Sequence, residues 1–333
     1  MNRGKKEKTI IMVIVFVLAL IGIAVLIGNL SSLVIKDEFE VTGEKSTFTD
    51  MNTIYIDGEG YLRKNYVKTY MILGLDKSGK LEYSELSFNQ GNQADFILLF
   101  VFNENDGSYN LLHINRDTMA DVKKLGKFGD EFSTEKMQIC LSHAYGDGKQ
   151  ISCQNTADAV SNLLYGVEID RYISASMSAV QEVNDFVGGV PVEIREDLTS
   201  IDPSMTVGAK VTLFGEKALS FVRGRKGVGD QTNIERMSRQ QQYISSMADQ
   251  VKLCNKTEDD FVNLFNGLSD YVISDFGIDD FNKIFKAVKS GENKGLITPE
   301  GETIFNKEHI EFHVNEDNLK SIVKELFFDK IEK

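Results

Sequence analysis

The most pronounced feature of the chain is an apolar run without an ionisable side chain, from Ile10 to Leu30. Its 21 residues, at ~1.5 Å per residue of helix, span a ~30 Å hydrocarbon core. Arg3, Lys5, Lys6 and Lys8 precede it, with Glu7 as the one acid. The positive-inside rule therefore leaves the N-terminus in the cytoplasm and sends the remainder outside. A cleaved signal peptide has a shorter apolar core and a small-x-small site, and Ala19 and Ala24 are not spaced to form one. The pattern predicts a cytoplasmic arm over 1–8, a transmembrane signal anchor over 9–30, an extracellular lead-in over 31–65 and an extracellular domain over 66–333.

Beyond residue 65 the periodicity alternates between strand and helix. Val67 to Leu75, Phe96 to Phe102 and Tyr109 to Ile114 are apolar runs of strand length. Glu104-Asn105-Asp106-Gly107 is a hairpin turn signal between the last two. Asn155–Leu164 and Ser178–Val187 carry helical spacing and are closed by Gly166 and by Gly188-Gly189. A strand is expected over Val190–Ile194. A long helix follows over Ile234–Leu253, then helices over Glu258–Ser269 and Ile278–Ser290. A strand over Glu311–Val314 and a helix over Glu316–Phe328 close the chain. With no repeat or Pro-rich linker after residue 65, this alternation predicts a single α/β domain with a central mixed sheet flanked by helices.

Composition narrows the chemistry. Net charge is −13 over 333 residues; the arm holds four positive charges and one negative, so the rest carries −16. An acidic chain argues against nucleic acid as a partner. Cys140 and Cys153 lie outside the membrane on this topology, which permits a disulfide; two unpaired buried thiols are the other reading. Cys254 is expected to pack. His309 and His313 are four apart but lack the Glu of a zinc-protease motif. No nucleophile elbow, Walker loop or dinucleotide fingerprint is present.

The arginines gather in one stretch. Arg223 and Arg225 stand two apart and share a face in extended backbone. After a polar loop, Arg236, Arg239 and Gln240 share a helical face close to a helix N-terminus. Guanidinium forks and helix N–H groups in so short a span point to a pyrophosphate. Upstream, Asp76, Asp95 and Arg116-Asp117 stand at strand ends, where ligands gather in α/β sheets. Two carboxylates there suit a hard divalent cation that also binds substrate phosphates.

Taken in order, these pieces resemble the LytR-CpsA-Psr family of Gram-positive bacteria. The matching segments are the N-terminal anchor, Gly74-Leu75-Asp76, Ala94-Asp95-Phe96-Ile97-Leu98-Leu99, Ile114-Asn115-Arg116-Asp117-Thr118 and Ala144-Tyr145-Gly146. They continue through Asn162–Asp170, Val187-Gly188-Gly189-Val190, Gly215–Arg223 and Arg236-Met237-Ser238-Arg239-Gln240-Gln241. The resemblance implies an extracytoplasmic phosphotransferase. Such an enzyme moves a glycopolymer, a teichoic acid or capsular polysaccharide, from a polyprenyl-pyrophosphate carrier to the muramic acid of peptidoglycan. It implies an apolar pocket for the polyprenyl tail. It also implies Mg2+ or Mn2+ on Asp76 and Asp95, and pyrophosphate on Arg116, Arg223, Arg225, Arg236, Arg239 and Gln240. Asp95 and Asp117 are both candidates to accept the proton of the attacking hydroxyl, Arg116 stands beside them, and Asp117 is alternatively an orienter of Arg116. The alternative function is a regulatory protein that binds the polyprenyl phosphate without transfer. Three positions depart from the family's usual pattern: Gln93-Ala94 replace an Arg-Ser pair, Asn115 replaces Pro, and Lys77-Ser78-Gly79 stand where an arginine often follows the first Asp.

Overall fold

The computed structural model describes residues 53–82, 92–125, 128–224, 233–256 and, with short interruptions, 260–331. The anchor expected over 9–30 lies outside the described residues. Among those described, no helix is long and apolar enough to cross a membrane.

The apolar runs form the centre of a six-stranded mixed sheet. Its strands, numbered in chain order, are β3 (Val67–Leu75), β4 (Ala94–Asn103), β5 (Tyr109–Ile114), β8 (Arg171–Ala175), β11 (Val272–Ser274) and β12 (Asn293–Ile297). They lie in the order β11-β8-β3-β4-β5-β12. β4 is antiparallel to both β3 and β5, while β8 joins β3 and β12 joins β5 in parallel. Successive positions feed opposite cores. Tyr70, Ile72, Leu98 and Phe100 enter one, and Met71, Leu73, Ile97 and Leu99 the other. Both faces are covered, which is why these strands are apolar throughout instead of alternating. The turn between β4 and β5 closes as expected: Gly107 takes φ +70° and donates to Asn103 O at 2.9 Å.

On the first face pack helices α2 (Met177–Phe186), α3 (Gly215–Arg223) and α4 (Asn233–Leu253). On the second pack α1 (Gln150–Leu163), α5 (Glu316–Phe327) and a 3-10 segment, Ile139–Ala144. Three antiparallel hairpins complete the domain: β6 (Met119–Leu125) with β7 (Glu131–Gln138), β9 (Val190–Glu193) with β10 (Lys210–Leu213), and β13 (Gly301–Phe305) with β14 (Ile310–Val314). A small sheet joins β1 (Thr53–Ile56), β2 (Glu59–Arg63) and β15 (Phe328–Lys330). Its Ile56 and Tyr61 sit in the second core, so the last part of the expected lead-in packs onto the domain.

One expectation changes here. Arg223 is not on extended backbone; it is the last residue of α3. Ala218, Leu219 and Val222 bury a helical face, and Gly224 ends the helix in a non-helical conformation. The helices expected over 258–269 and 278–290 fall in large part outside the described residues.

Cys140 and Cys153 are both free and buried. Cys153 Sγ lies 3.2 Å from Ser174 Oγ and 3.6 Å from His143 Nε2. Burial pushes the Cys140 thiol up to about 11 and the Cys153 thiol up to about 12. Thiolate is the reactive form, so at pH 8 the folded chain is expected to leave both unmodified by iodoacetamide while the denatured chain labels them. Peptide mass spectrometry reads the result.

Candidate functional site

The site is built at one end of the central sheet. Asp76 directly follows β3, Asp95 is the second residue of β4, and Arg116 follows β5. In the β3–β4 ladder Leu75 pairs with Ala94 while Gly74 pairs with Phe96. Asp95 is therefore the extra residue of a β-bulge, a device that re-aims one side chain without disturbing the ladder beyond it. Gly74 permits the close approach: a Cβ there would lie 3.0 Å from Phe96 Cβ.

Three arginines converge on the two carboxylates. Arg116 Nη1 donates to Asp95 Oδ1, and Arg236 Nη1 reaches Asp95 Oδ2 at 3.4 Å. Arg223 Nη2 donates to Asp76 Oδ1 at 2.8 Å. Arg236 comes from the first turns of α4 and is buried. Arg223 comes from the end of α3 and is more open, with 41% of its side chain exposed. Next to this cluster lies a narrow cavity of about 50 Å³. Asp95, Arg223, Arg236 and Gln240 stand at it, and Phe96, Met177, Val180, Tyr243 and Ile244 give it apolar walls. Gln240 Nε2 reaches Val222 O at 3.4 Å, while its buried Oε1 has no hydrogen-bond partner among the described residues. Charge at one end and hydrocarbon at the other suit an amphipathic anion.

Residues 35–327 match the LytR_cpsA_psr family. The chain belongs to the LytR_cpsA_psr family. A relative from Enterococcus faecalis, the polyisoprenyl-teichoic acid–peptidoglycan teichoic acid transferase TagU, is 26% identical over 332 residues, 98% of each chain. The Bacillus subtilis TagU is 24% identical over 336 residues, 98% of this chain and 97% of that one. Among solved structures, TagT bound to LIIa-WTA aligns with a TM-score of 0.58 at 21% identity, covering 79% of this chain and 90% of that one. The crystal structure of B. subtilis TagU aligns at 0.53 with 22% identity, covering 78% and 95%. These likenesses show that the mixed sheet and its helices have the family fold.

Within this LytR_cpsA_psr domain, the other expected site residues divide. Arg225 lies outside the described residues. Arg239 is buried but points away from the carboxylates. Its Nε donates to Phe221 O at 3.1 Å, its Nη2 to Gly224 O, and its Nη1 to Glu196 at 2.6 Å. It thus ties down the last carbonyls of α3, the turn that carries Arg223. Asp117 is buried, with Oδ1 3.3 Å from Arg116 Nε and accepting from Gln138 Nε2 at 2.8 Å. Its amide donates to Asn115 Oδ1 at 3.0 Å. Where the family commonly has Pro, Asn115 makes the turn through its side chain.

Two glutamines belong to the site that residue spacing did not single out. Gln93 Oε1 accepts from Arg116 Nη2 at 2.7 Å. Gln138, from the last position of β7, holds Asp117 and also donates to Ile310 O at 2.7 Å. Only the departure at Gln93 from the family pattern signalled either one. His113 lies beneath the site, its ring 4.8 Å from that of Phe96. Burial and the nearby Arg236 push it down to about 3, so it is neutral at working pH and a poor base. His309 and His313 both contact Glu311, at 3.0 and 2.7 Å. No group of three metal-ligating side chains is assembled among the described residues.

For a divalent cation, the candidate donors are Asp76 and Asp95, hard oxygen ligands that are paired with Arg223, Arg116 and Arg236 in this structure. That fits Mg2+, which takes one or two protein carboxylates and fills its sphere with water and substrate oxygens.

Proposed function

We propose that this chain is an extracytoplasmic phosphotransferase that moves a glycopolymer from a polyprenyl-pyrophosphate carrier to peptidoglycan, forming a phosphodiester. The observation that carries this reading is the convergence of Arg116, Arg223 and Arg236 on Asp76 and Asp95 beside an apolar cavity. Relatives named as teichoic acid transferases support the substrate class. The anchor expected over 9–30 would hold the domain at the membrane surface that contains the carrier.

In this reading the arginines exchange their carboxylate partners for pyrophosphate oxygens. Arg116, Arg223 and Arg236 orient the phosphoryl group and stabilise charge developing on it. The Gln240 amide N–H would donate to a pyrophosphate oxygen, and the apolar walls receive the adjoining hydrocarbon of the carrier. A sugar hydroxyl of the acceptor attacks phosphorus in line. The new O–P bond forms as the bridging P–O bond breaks, and polyprenyl phosphate departs with the bonding pair. Asp95, which borders the cavity, accepts the hydroxyl proton in this reading. Asp117, enclosed by Gln138 and Arg116, orients Arg116 instead. Magnesium or manganese held by Asp76 and Asp95 would add positive charge on the pyrophosphate.

Gln93 favours a second reading, carrier binding without transfer, because it places an acceptor where the family commonly places a cation. The full chain in detergent, incubated with a polyprenyl-pyrophosphate oligosaccharide and peptidoglycan, separates the two. Formation of a glycan–peptidoglycan phosphodiester, identified by mass spectrometry, supports transfer. Tight carrier binding with no product leaves only the second.

A further inference from the structure

A second cavity, of about 120 Å³, is lined by β6, β7, the end of α1, β14 and the start of α5. It differs from the arginine site in chemistry. Its polar groups are Asp121, Lys136, Asn162, Tyr165 and Glu316: one cation, two anions, an amide and a phenol. That nearly balanced set of donors and acceptors offers no concentrated charge for a phosphate. Met119, Leu163 and Val314 give it an apolar floor. A mixed rim of donors and acceptors around apolar patches matches a sugar ring, whose edge is polar and whose C–H face is not.

The backbone at this cavity is also unusual. Tyr165 follows α1 with φ +58°, a left-handed conformation that a bulky residue rarely adopts, and Gly166 follows with φ +83°. Glycine or asparagine would take the Tyr165 position with less strain, yet here an aromatic ring is held at the cavity. Its hydroxyl donates to Glu316 Oε2 at 2.5 Å. Strain of this kind, kept by its surroundings, is an indication of function.

The cavity is joined to the reacting segment. Met119 stands three residues after Arg116, so the two Cα atoms lie within about 11 Å of each other. The link is stiff: Phe312 N donates to Asp117 O at 2.8 Å, and Thr118 bridges Phe312 in parallel.

From this placement we propose that the cleft is a saccharide subsite that holds a sugar of the acceptor glycan while a neighbouring sugar presents its hydroxyl at Arg116. The identity of the glycan rests on the transfer reading above; the existence of the subsite does not. Asn162 and Lys136 would donate to ring substituents, Asp121 would accept from hydroxyls, and Tyr165 would set its ring against the sugar while its phenol oxygen, which donates to Glu316, accepts from a sugar hydroxyl.

The test uses the full chain in detergent and a β-1,4-linked N-acetylglucosamine–N-acetylmuramic acid tetrasaccharide, titrated by calorimetry. Asn162 is exposed, so Asn162→Ala should leave the fold unchanged; Tyr165→Phe keeps the ring and removes the hydroxyl. Each is expected to raise the tetrasaccharide Kd by about fivefold, the loss of roughly one hydrogen bond, and to leave the Kd for polyprenyl pyrophosphate unchanged. Tetrasaccharide binding that is absent in the wild type, or equal in all three proteins, overturns the subsite. If binding depends on Asn162 but no transfer occurs, the subsite stands and the transfer reading fails. If transfer occurs with an unchanged acceptor KM in both variants, the transfer reading stands and the subsite fails.

Discussion

Arg116→Ala is expected to reduce phosphodiester formation by about a thousandfold, in the range seen when one transition-state donor or a phosphate-directed arginine is removed. The guanidinium is hydrogen-bonded to Asp95 and to Gln93, with Asp117 beside it as an ion-pair partner. Its direction is therefore fixed before a phosphate arrives, and little reorganisation accompanies binding. Arg116→Lys should restore little, because a single ammonium cannot reproduce a planar fork spanning Asp95 and Gln93. The side chain belongs to neither hydrophobic core, so circular dichroism should still report a folded chain. Transfer within threefold of wild type in a folded Arg116→Ala protein would remove this residue from the mechanism.

Arg239→Met should act differently, through stability first. Arg239 is buried and bonded to Glu196 and to two carbonyls at the end of α3. Removing it leaves those acceptors without their donor. Glu196 keeps about a quarter of its side chain in solvent, which places the loss at the low end for a buried pair, ~3 kcal/mol, or about 6–12 °C in Tm for a domain of this size. Activity below the new Tm should fall less than in Arg116→Ala, since Arg239 reaches substrate only by holding the turn that carries Arg223. An unchanged Tm together with lost transfer would return Arg239 to direct phosphate contact.

The contrast between these two arginines marks how far the sequence is legible. β3, β4 and β5 were readable because burial on both faces leaves an uninterrupted apolar signal. The β6–β7 hairpin was not, since β7, Glu-Phe-Ser-Thr-Glu-Lys-Met-Gln, is largely exposed and shows no apolar alternation. α3 was obscured by the Arg-Gly-Arg sequence at its end, which reads as loop until the buried face of Ala218, Leu219 and Val222 is seen. Among the candidate site residues, strand-end position led to Asp76, Asp95 and Arg116, which stand at one end of the sheet. Helical spacing placed Arg236 and Gln240 at the cavity, but it could not distinguish Arg239. That distinction depends on where the end of α3 lies in space, a long-range fact with no local trace. Gln138 escaped notice for the same reason: its partners, Asp117 and Ile310, come from distant parts of the chain.

The ion pairs at the sheet end have a consequence for selectivity. Asp76, Asp95 and Asp117 together balance Arg116, Arg223 and Arg236, so the cluster presents no large bare positive field on an otherwise acidic surface. A lone phosphate or a stray acidic polymer has to displace carboxylates and gains little beyond what it breaks. A ligand that offers two linked phosphates and a hydrocarbon segment together can offset that loss. In the proposed reaction the internal carboxylates would act as built-in competitors, tuning the site against the simple anions that an arginine cluster would otherwise collect.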